Sequence, residues 1–480
     1  MLDLRPVLFL IGLLICALGV AMVVPATMNW LAGTPPPEPF SIAATLSVGL
    51  GGLFVLANRG ATIAISLRQA YVFTFLAWLS VATIGALPLV FSELQLSYTD
   101  AFFETMSGIT TTGSTVLVGL DTMPRSILLW RALMQWLGGV GIVVMAIAIL
   151  PWLRTGGMQL FHAESSDRSD KPMPRLAAVT TALCLAYLAV SLACAGAYGL
   201  AGMSLFDAVA HAMTTLATGG YSTRDASFAA FPAAAQWVSV LFMIAGALPF
   251  LLYVRVARGD WTIVRDRQAQ VMVLVLAVAV IVLVLWLHWR GGRPLEAALR
   301  HAAFNVASVM TTTGYASEDY GIWGPLAEGV FFYLMFVGGC TGSTSGAIKI
   351  FRFRVLLIVL REHIYRRFLP HVIIHRTYDG KSLSEDVVEG VMAFLAVYFL
   401  AVALAALALG AFGLDWLTAL SGAVQAVGNV GPGLGPIIGP AGNYASLPDG
   451  AKWILAFAML LGRLELFTVL VLLTPRFWRA

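Results

Sequence analysis

Charge is scarce in this chain. Asp, Glu, Lys and Arg together supply 11% of its 480 residues, where a water-soluble domain carries about a quarter. That shortage excludes an ordinary soluble enzyme. Cysteine is scarce too: Cys16, Cys184, Cys194 and Cys340 each fall inside an apolar stretch and none forms a CxxC pair. Such thiols are expected to behave as small hydrophobes, with no disulfide and no metal site. No basic stretch is interleaved with aromatics in a polar domain, so nucleic acid is not an expected partner. No long polar segment exists beyond 349–389, which reads as a cytoplasmic extension and linker. A polytopic membrane enzyme would need a cluster of His, Asp or Glu at one membrane face; His162 and Glu164 are too slight to count. No enzymatic activity is expected.

What the chain has instead is apolar length. It is 59% hydrophobic with a mean hydropathy of +0.85. Apolar runs of about 20 residues, enough to cross a hydrocarbon core of about 30 Å, recur throughout. The reading is an all-α polytopic membrane protein. The first run is longer than a signal-peptide core and lacks a small-residue cleavage site, so it counts as a span. Ten crossings are expected, over 7–29, 41–57, 70–91, 126–150, 176–200, 234–257, 270–289, 323–360, 385–410 and 451–474. The eighth is too long for one simple span.

Lys and Arg orient these spans. One set of loops carries Arg59 and Arg68; Arg154, Arg168, Lys171 and Arg175; Arg255, Arg258, Arg265 and Arg267; the run 349–381; and Arg476 and Arg479. The other holds only Arg125, Arg131, Arg224, Arg290, Arg293, Arg300 and Lys452. The first set is expected to be cytoplasmic, with both termini inside. The net charge of +4 follows from these loops. The group Arg290, Arg293 and Arg300 locally breaches the rule.

Between the spans one kind of segment recurs four times, over 100–113, 207–220, 302–314 and 421–431. Each has an amphipathic lead-in, a run of small and apolar residues, and a Thr- or Gly-rich tip. The tips are Thr110-Thr111-Thr112-Gly113, Thr218-Gly219-Gly220, Thr311-Thr312-Thr313-Gly314 and Asn429-Val430-Gly431. The first two align without a gap from Asp100 and Asp207, which selects Gly220 over its neighbour Gly219. Each segment is too short and too polar to span, yet spans flank it. A half-crossing loop cannot face lipid; its backbone must be buried in protein or line water. Four such loops around one axis make an ion pore. The chain then divides into an N-terminal transmembrane hairpin (1–66) and four span–loop–span units: 67–155, 156–260, 261–380 and 381–480.

Carbonyl rings can replace the water around a dehydrated K⁺, and glycine tolerates the torsions such a ring needs. Gly113, Gly220, Gly314 and Gly431 are therefore the leading filter candidates. Thr111, Thr112, Thr218, Gly219, Thr312, Thr313, Asn429 and Val430 would supply further carbonyls. The lead-ins are expected to be pore helices whose C-terminal dipole ends favour a cation. Asp100, Glu104, Asp207 and Asp415 lie at or near their outer ends, either as caps or as charges that concentrate cations at the mouth.

Two further stretches stand out. Residues 338–346 hold Gly338, Gly339, Gly342, Ser343, Thr344, Ser345 and Gly346. Glycine costs about 1 kcal/mol per position in a helix, and Ser and Thr compete for backbone hydrogen bonds. The eighth span is thus expected to break here, where it faces water. It is no phosphate-binding loop, because no Gly-Lys-Ser/Thr follows. Arg463 stands in the otherwise apolar last span, where a charge normally faces a cavity or a partner.

With these four loops, and with 336–349 and 460–468, the chain resembles the Trk/Ktr/HKT superfamily of potassium transporters, nearest its bacterial Trk branch. The likeness covers nearly the whole chain, including the N-terminal hairpin. It implies K⁺ selectivity from a glycine in all four loops, and an intramembrane gate at 338–346 beneath the filter. It also implies that Arg463 projects into the pore as a barrier to cations. It further implies a homodimer in the bacterial cytoplasmic (inner) membrane, controlled by a separate cytosolic TrkA-like ring that binds NAD or ATP-type nucleotides. Pro432, where the second and third loops have Tyr221 and Tyr315, departs from the repeat. The alternatives are a K⁺ symporter coupled to H⁺ or Na⁺, with Glu104, His211 or Glu465 as relay groups, or a Na⁺-permeable relative.

Overall fold

The computed structural model describes residues 2–31, 38–60, 65–148, 172–261, 265–369, 374–379 and 381–479. The expected boundary between the first two pore units, the bases Arg154, Arg168 and Lys171, and the pair His162 and Glu164 lie outside the described residues.

Helix dominates because apolar runs in lipid must satisfy their own backbone. Among the described residues seven helices are long and apolar enough to cross a bilayer: Arg5–Met28, Pro39–Ala57, Leu67–Val90, Arg125–Met145, Ala177–Leu200, Arg267–Arg290 and Glu385–Ala411. Local signals set some starts. Ser66 and Gln69 form a reciprocal capping box that opens the third span. Only 22% of the apolar window of Pro39–Ala57, and the same share of Ala177–Leu200, is buried inside the protein. Apolar side chains on so much outer surface call for a hydrocarbon solvent.

Three expected spans are not straight. The sixth divides into Ala233–Ala247 and Phe250–Ala257, bent by 94°. Leu248 is extended ahead of Pro249, as the residue before a proline prefers. The last divides into Asp449–Arg463 and Phe467–Leu473, bent by 106°, with Glu465 and Leu466 both at positive φ. The eighth stops at Leu334 and resumes as the helix Ile350–Phe368. Its break falls where the glycines of 338–346 predict it, and it holds Cys340.

Four short helices lie between these spans: Tyr98–Ile109, Leu205–Leu216, Leu295–Met310 and Trp416–Gly428. The longest has 16 residues, about 24 Å at ~1.5 Å per residue, short of a crossing. Ser97, Ser204 and Asp415 cap three of them by accepting from backbone N–H groups three residues on. The third begins after Pro294 without a side-chain cap.

Candidate functional site

The four short helices end in the same way. Thr111, Thr218, Thr312 and Asn429 adopt left-handed φ of 54°, 50°, 58° and 54°. The next residue's N–H reaches back to the helix: Thr112 to Ser107 O, Gly219 to Thr214 O, Thr313 to Ser308 O and Val430 to Gln425 O, at 2.8–2.9 Å. This is the Schellman closure, built here on residues that resist it. Three are β-branched threonines, for which positive φ is a genuine outlier. Strain of this kind persists only where surrounding structure enforces it.

A glycine follows two residues later in every loop. Gly113, Gly220, Gly314 and Gly431 have φ of 90°, 79°, 84° and 106°, while Gly219 is not at positive φ. Space is short as well as torsion. A Cβ on Gly113 would lie 2.2 Å from Gly219 O; on Gly220, 1.9 Å from Thr313 O; on Gly314, 2.3 Å from Val430 O; on Gly431, 2.7 Å from Thr112 O. Each glycine thus abuts the carbonyl preceding the glycine of the next loop. The four loops close into a ring in chain order.

A second ring braces the first. The residue after each glycine reaches the preceding loop. Tyr221 donates to Glu104 O at 2.7 Å, and Tyr315 bonds Thr214 and Thr215 of the second loop. Ser114 donates to Gly431 O at 2.9 Å, and Pro432 packs on Gly314. Gln135 adds a clamp, donating to Gly219 O at 2.6 Å and accepting from the Tyr221 N–H. Tyr444 donates to Gly431 O at 2.7 Å.

Beneath the loops lies the segment 338–346. It is seated in the break of the sixth span: Cys340 N–H donates to Ala247 O, and Phe250 N–H to Gly342 O, at 2.9 and 3.0 Å. It also meets three of the four loops. Thr218 donates to the Thr344 hydroxyl at 3.2 Å. Gly346 N–H donates to the Thr312 hydroxyl at 2.7 Å, and Ala347 N–H to Gly428 O at 2.8 Å. Close approach demands small residues: a Cβ on Gly346 would stand 2.3 Å from Gly428 O. Arg463 is buried, 3% exposed. Its Nη1 donates to Thr344 O at 2.8 Å and its Nη2 to Gly138 O at 3.2 Å. One guanidinium therefore ties the segment to the helix that follows the first loop.

A family model described as a cation transport protein, TrkH, matches residues 40–479. The chain belongs to the TrkH family. The Trk system potassium uptake protein TrkI of Halomonas elongata is 48% identical over 480 residues, covering 99% of this chain and 97% of that one. The potassium uptake protein TrkG of Escherichia coli is 32% identical over 448 residues, covering 92% of each. The crystal structure of the potassium transporter TrkH from Vibrio parahaemolyticus superposes with a TM-score of 0.92 at 33% identity, over 100% of both chains.

On this TrkH-family frame the carboxylates take places other than an open mouth. Asp415 is a helix cap. Asp100 receives the Lys452 ammonium at 2.6 Å. Asp207 lies near Arg224; burial opposes its charge, but hydrogen bonds from Thr223 and Ser204, with Arg224, hold its carboxyl below the usual range. Glu104 is not near the outer surface at all. It is buried against Arg131 at 2.8 Å, takes the Thr115 hydroxyl and the Val116 N–H, and so anchors the stretch of chain leaving the first loop. Arg131, read from the sequence as an outer-loop base, is buried as well and donates to Ser222 O of the second loop. His211 and Asn305, at the same place in their loops, bond Ser222 and Ser317 in turn. Glu465 pairs with Arg352, whose guanidinium covers the Phe394 ring at 3.6 Å.

Removing one member of a buried pair strands the other, at a cost of about 3–5 kcal/mol. Glu104→Ala is thus expected to lower the unfolding midpoint of the purified protein, followed by tryptophan fluorescence. Joint replacement, Glu104→Leu with Arg131→Met, should recover much of the loss. A single variant as stable as wild type would show that the pair does not hold the loop.

Proposed function

We propose that this protein carries K⁺ inward across a membrane through a filter made by its four loops, closed from the cytoplasmic side by 338–346 and Arg463. The observation that carries this reading is the fourfold recurrence of one strained backbone, a left-handed residue followed two positions on by a positive-φ glycine, closed into a ring. Alternating signs of φ turn successive carbonyls toward one side, whereas an extended strand would alternate them. That is the geometry a dehydrated cation needs. The filter residues are Thr111 to Gly113, Thr218 to Gly220, Thr312 to Gly314 and Asn429 to Gly431, with Gly220 as the second-loop glycine. Family membership and the names of the relatives favour K⁺ as cargo.

In the same reading the five-part division of the chain stands, both termini are cytoplasmic and the membrane is the bacterial inner membrane. The protein is a homodimer under a cytosolic TrkA-like, nucleotide-binding ring. A symporter relay is less well supported, since Glu104, His211 and Glu465 already hold hydrogen-bond or ion-pair partners. The deciding measurement is ⁸⁶Rb⁺ and ²²Na⁺ uptake into liposomes holding the purified protein, with and without a pH gradient. Rb⁺ uptake unaffected by the gradient, and well above Na⁺ uptake, is expected; equal uptake of the two ions would refute a K⁺ filter.

Deleting 338–346 is expected to leave a pore that leaks Rb⁺ without any cytosolic partner. Nothing else described connects Thr218, Thr312 and Gly428 from below. Flux in a monodisperse deletion variant as low as in wild type would exclude a gate there.

A further inference from the structure

Two buried cations hold adjacent points of one short backbone. Arg463 donates to Thr344 O. Lys349, buried and standing at the N-cap of Ile350–Phe368, donates through Nζ to Ser345 O. These carbonyls are consecutive, in the part of the segment that also meets the second, third and fourth loops. Glu465 lines the same small cavity, about 20 Å³, as Lys349, Ser345 and Arg463, but it is taken by Arg352. Lys349 has no ion pair among the described residues. A buried ammonium is costly unless it is held, and the group shown holding this one is the gate-segment backbone itself.

We propose that Lys349 is a second latch on 338–346, a positioning residue that works beside Arg463. The inference rests on reading that segment as the gate. Arg463 arrives from the far end of the chain and pins the segment to the rest of the molecule. Lys349 comes from the segment's own descending side, four residues past Ser345, and pins its curvature. A carbonyl engaged by a cationic donor is closed to K⁺, and the two fixed charges repel it. The segment moves aside only when both bonds break.

The test is ⁸⁶Rb⁺ flux into liposomes holding full-length protein without a cytosolic partner, with monodisperse yield measured on the same preparations. Lys349→Met is expected to raise basal flux about tenfold, equivalent to ~1.4 kcal/mol, the scale of one hydrogen bond from a charged group. Lys349→Arg keeps a cationic donor and should return flux toward wild type. Lys349→Met with Arg463→Ala should exceed either single variant. Wild-type flux in a folded Lys349→Met protein, or equal leaks in the Met and Arg variants, would overturn the latch. If the Met variant does not fold, Lys349→Gln decides: a leak supports the latch and wild-type flux removes it. A leaking 338–346 deletion beside a silent Lys349→Met sinks the latch alone. Silence in both sinks the gate reading as well.

Discussion

Gly113→Ser is expected to lower the preference for K⁺ over Na⁺ by about tenfold, or ~1.4 kcal/mol, in a protein that still folds. Two costs meet at this position. The backbone sits at φ 90°, where an L-side chain pays about 1–2 kcal/mol. The new Cβ would also lie 2.2 Å from Gly219 O, closer than any real contact, so the second loop must move. Gly219 is not free to move alone, because Gln135 holds its carbonyl. The displacement therefore passes to Tyr221, whose N–H bonds the same Gln135. The change is confined to one quarter of the ring and to its tip, away from the buried apolar core. Rb⁺ and Na⁺ fluxes on one preparation measure it; an unchanged ratio in a well-folded variant would remove Gly113 from the filter.

Arg463→Ala should raise basal Rb⁺ flux by at least tenfold. A unit charge at about 4 Å repels another by ~4 kcal/mol at an effective dielectric near 20, which sets roughly a thousandfold as the ceiling. The variant also leaves Thr344 O and Gly138 O without their shared donor, so electrostatic and mechanical barriers fall together. Arg463→Lys separates them. It keeps the charge, but a single ammonium cannot reproduce a planar fork between the broken segment and a neighbouring helix, so intermediate flux is expected. A purely structural arginine predicts lost protein in the Ala variant and no gain in flux. A folded Ala variant with wild-type flux would remove the barrier.

Much of this site could be read in the chain because its parts are local. A tip such as Thr111-Thr112-Gly113 announces its own torsions, four glycines crowded into 338–346 announce a break, and Arg463 in an apolar helix announces a buried partner. The choice of Gly220 over Gly219 came from spacing alone and agrees with their φ angles. What stayed hidden depends on distance along the chain. Glu104 reads as a cap or a mouth carboxylate because its partner Arg131 lies 27 residues on, among bases that read as outer ones. The brace formed by Ser114, Tyr221, Tyr315 and Pro432 needs the loops already closed around an axis. Pro249 signals the bend of the sixth span, but the apolar run continues through it and conceals the break. The turn at Glu465 and Leu466 carries no glycine or proline and gave no warning. Glu465 pairs there with Arg352, more than a hundred residues earlier.

All four walls of the ring come from one chain, and the break that Lys349 closes lies between Leu334 and Ile350. A pore assembled from four identical subunits would have to repeat any such device four times, and every substitution would strike all walls at once. Here a change touches one wall while three stay as they were. Proline can therefore replace tyrosine after Gly431, and one latch can be loosened or tightened, without asking the other quarters to change in step.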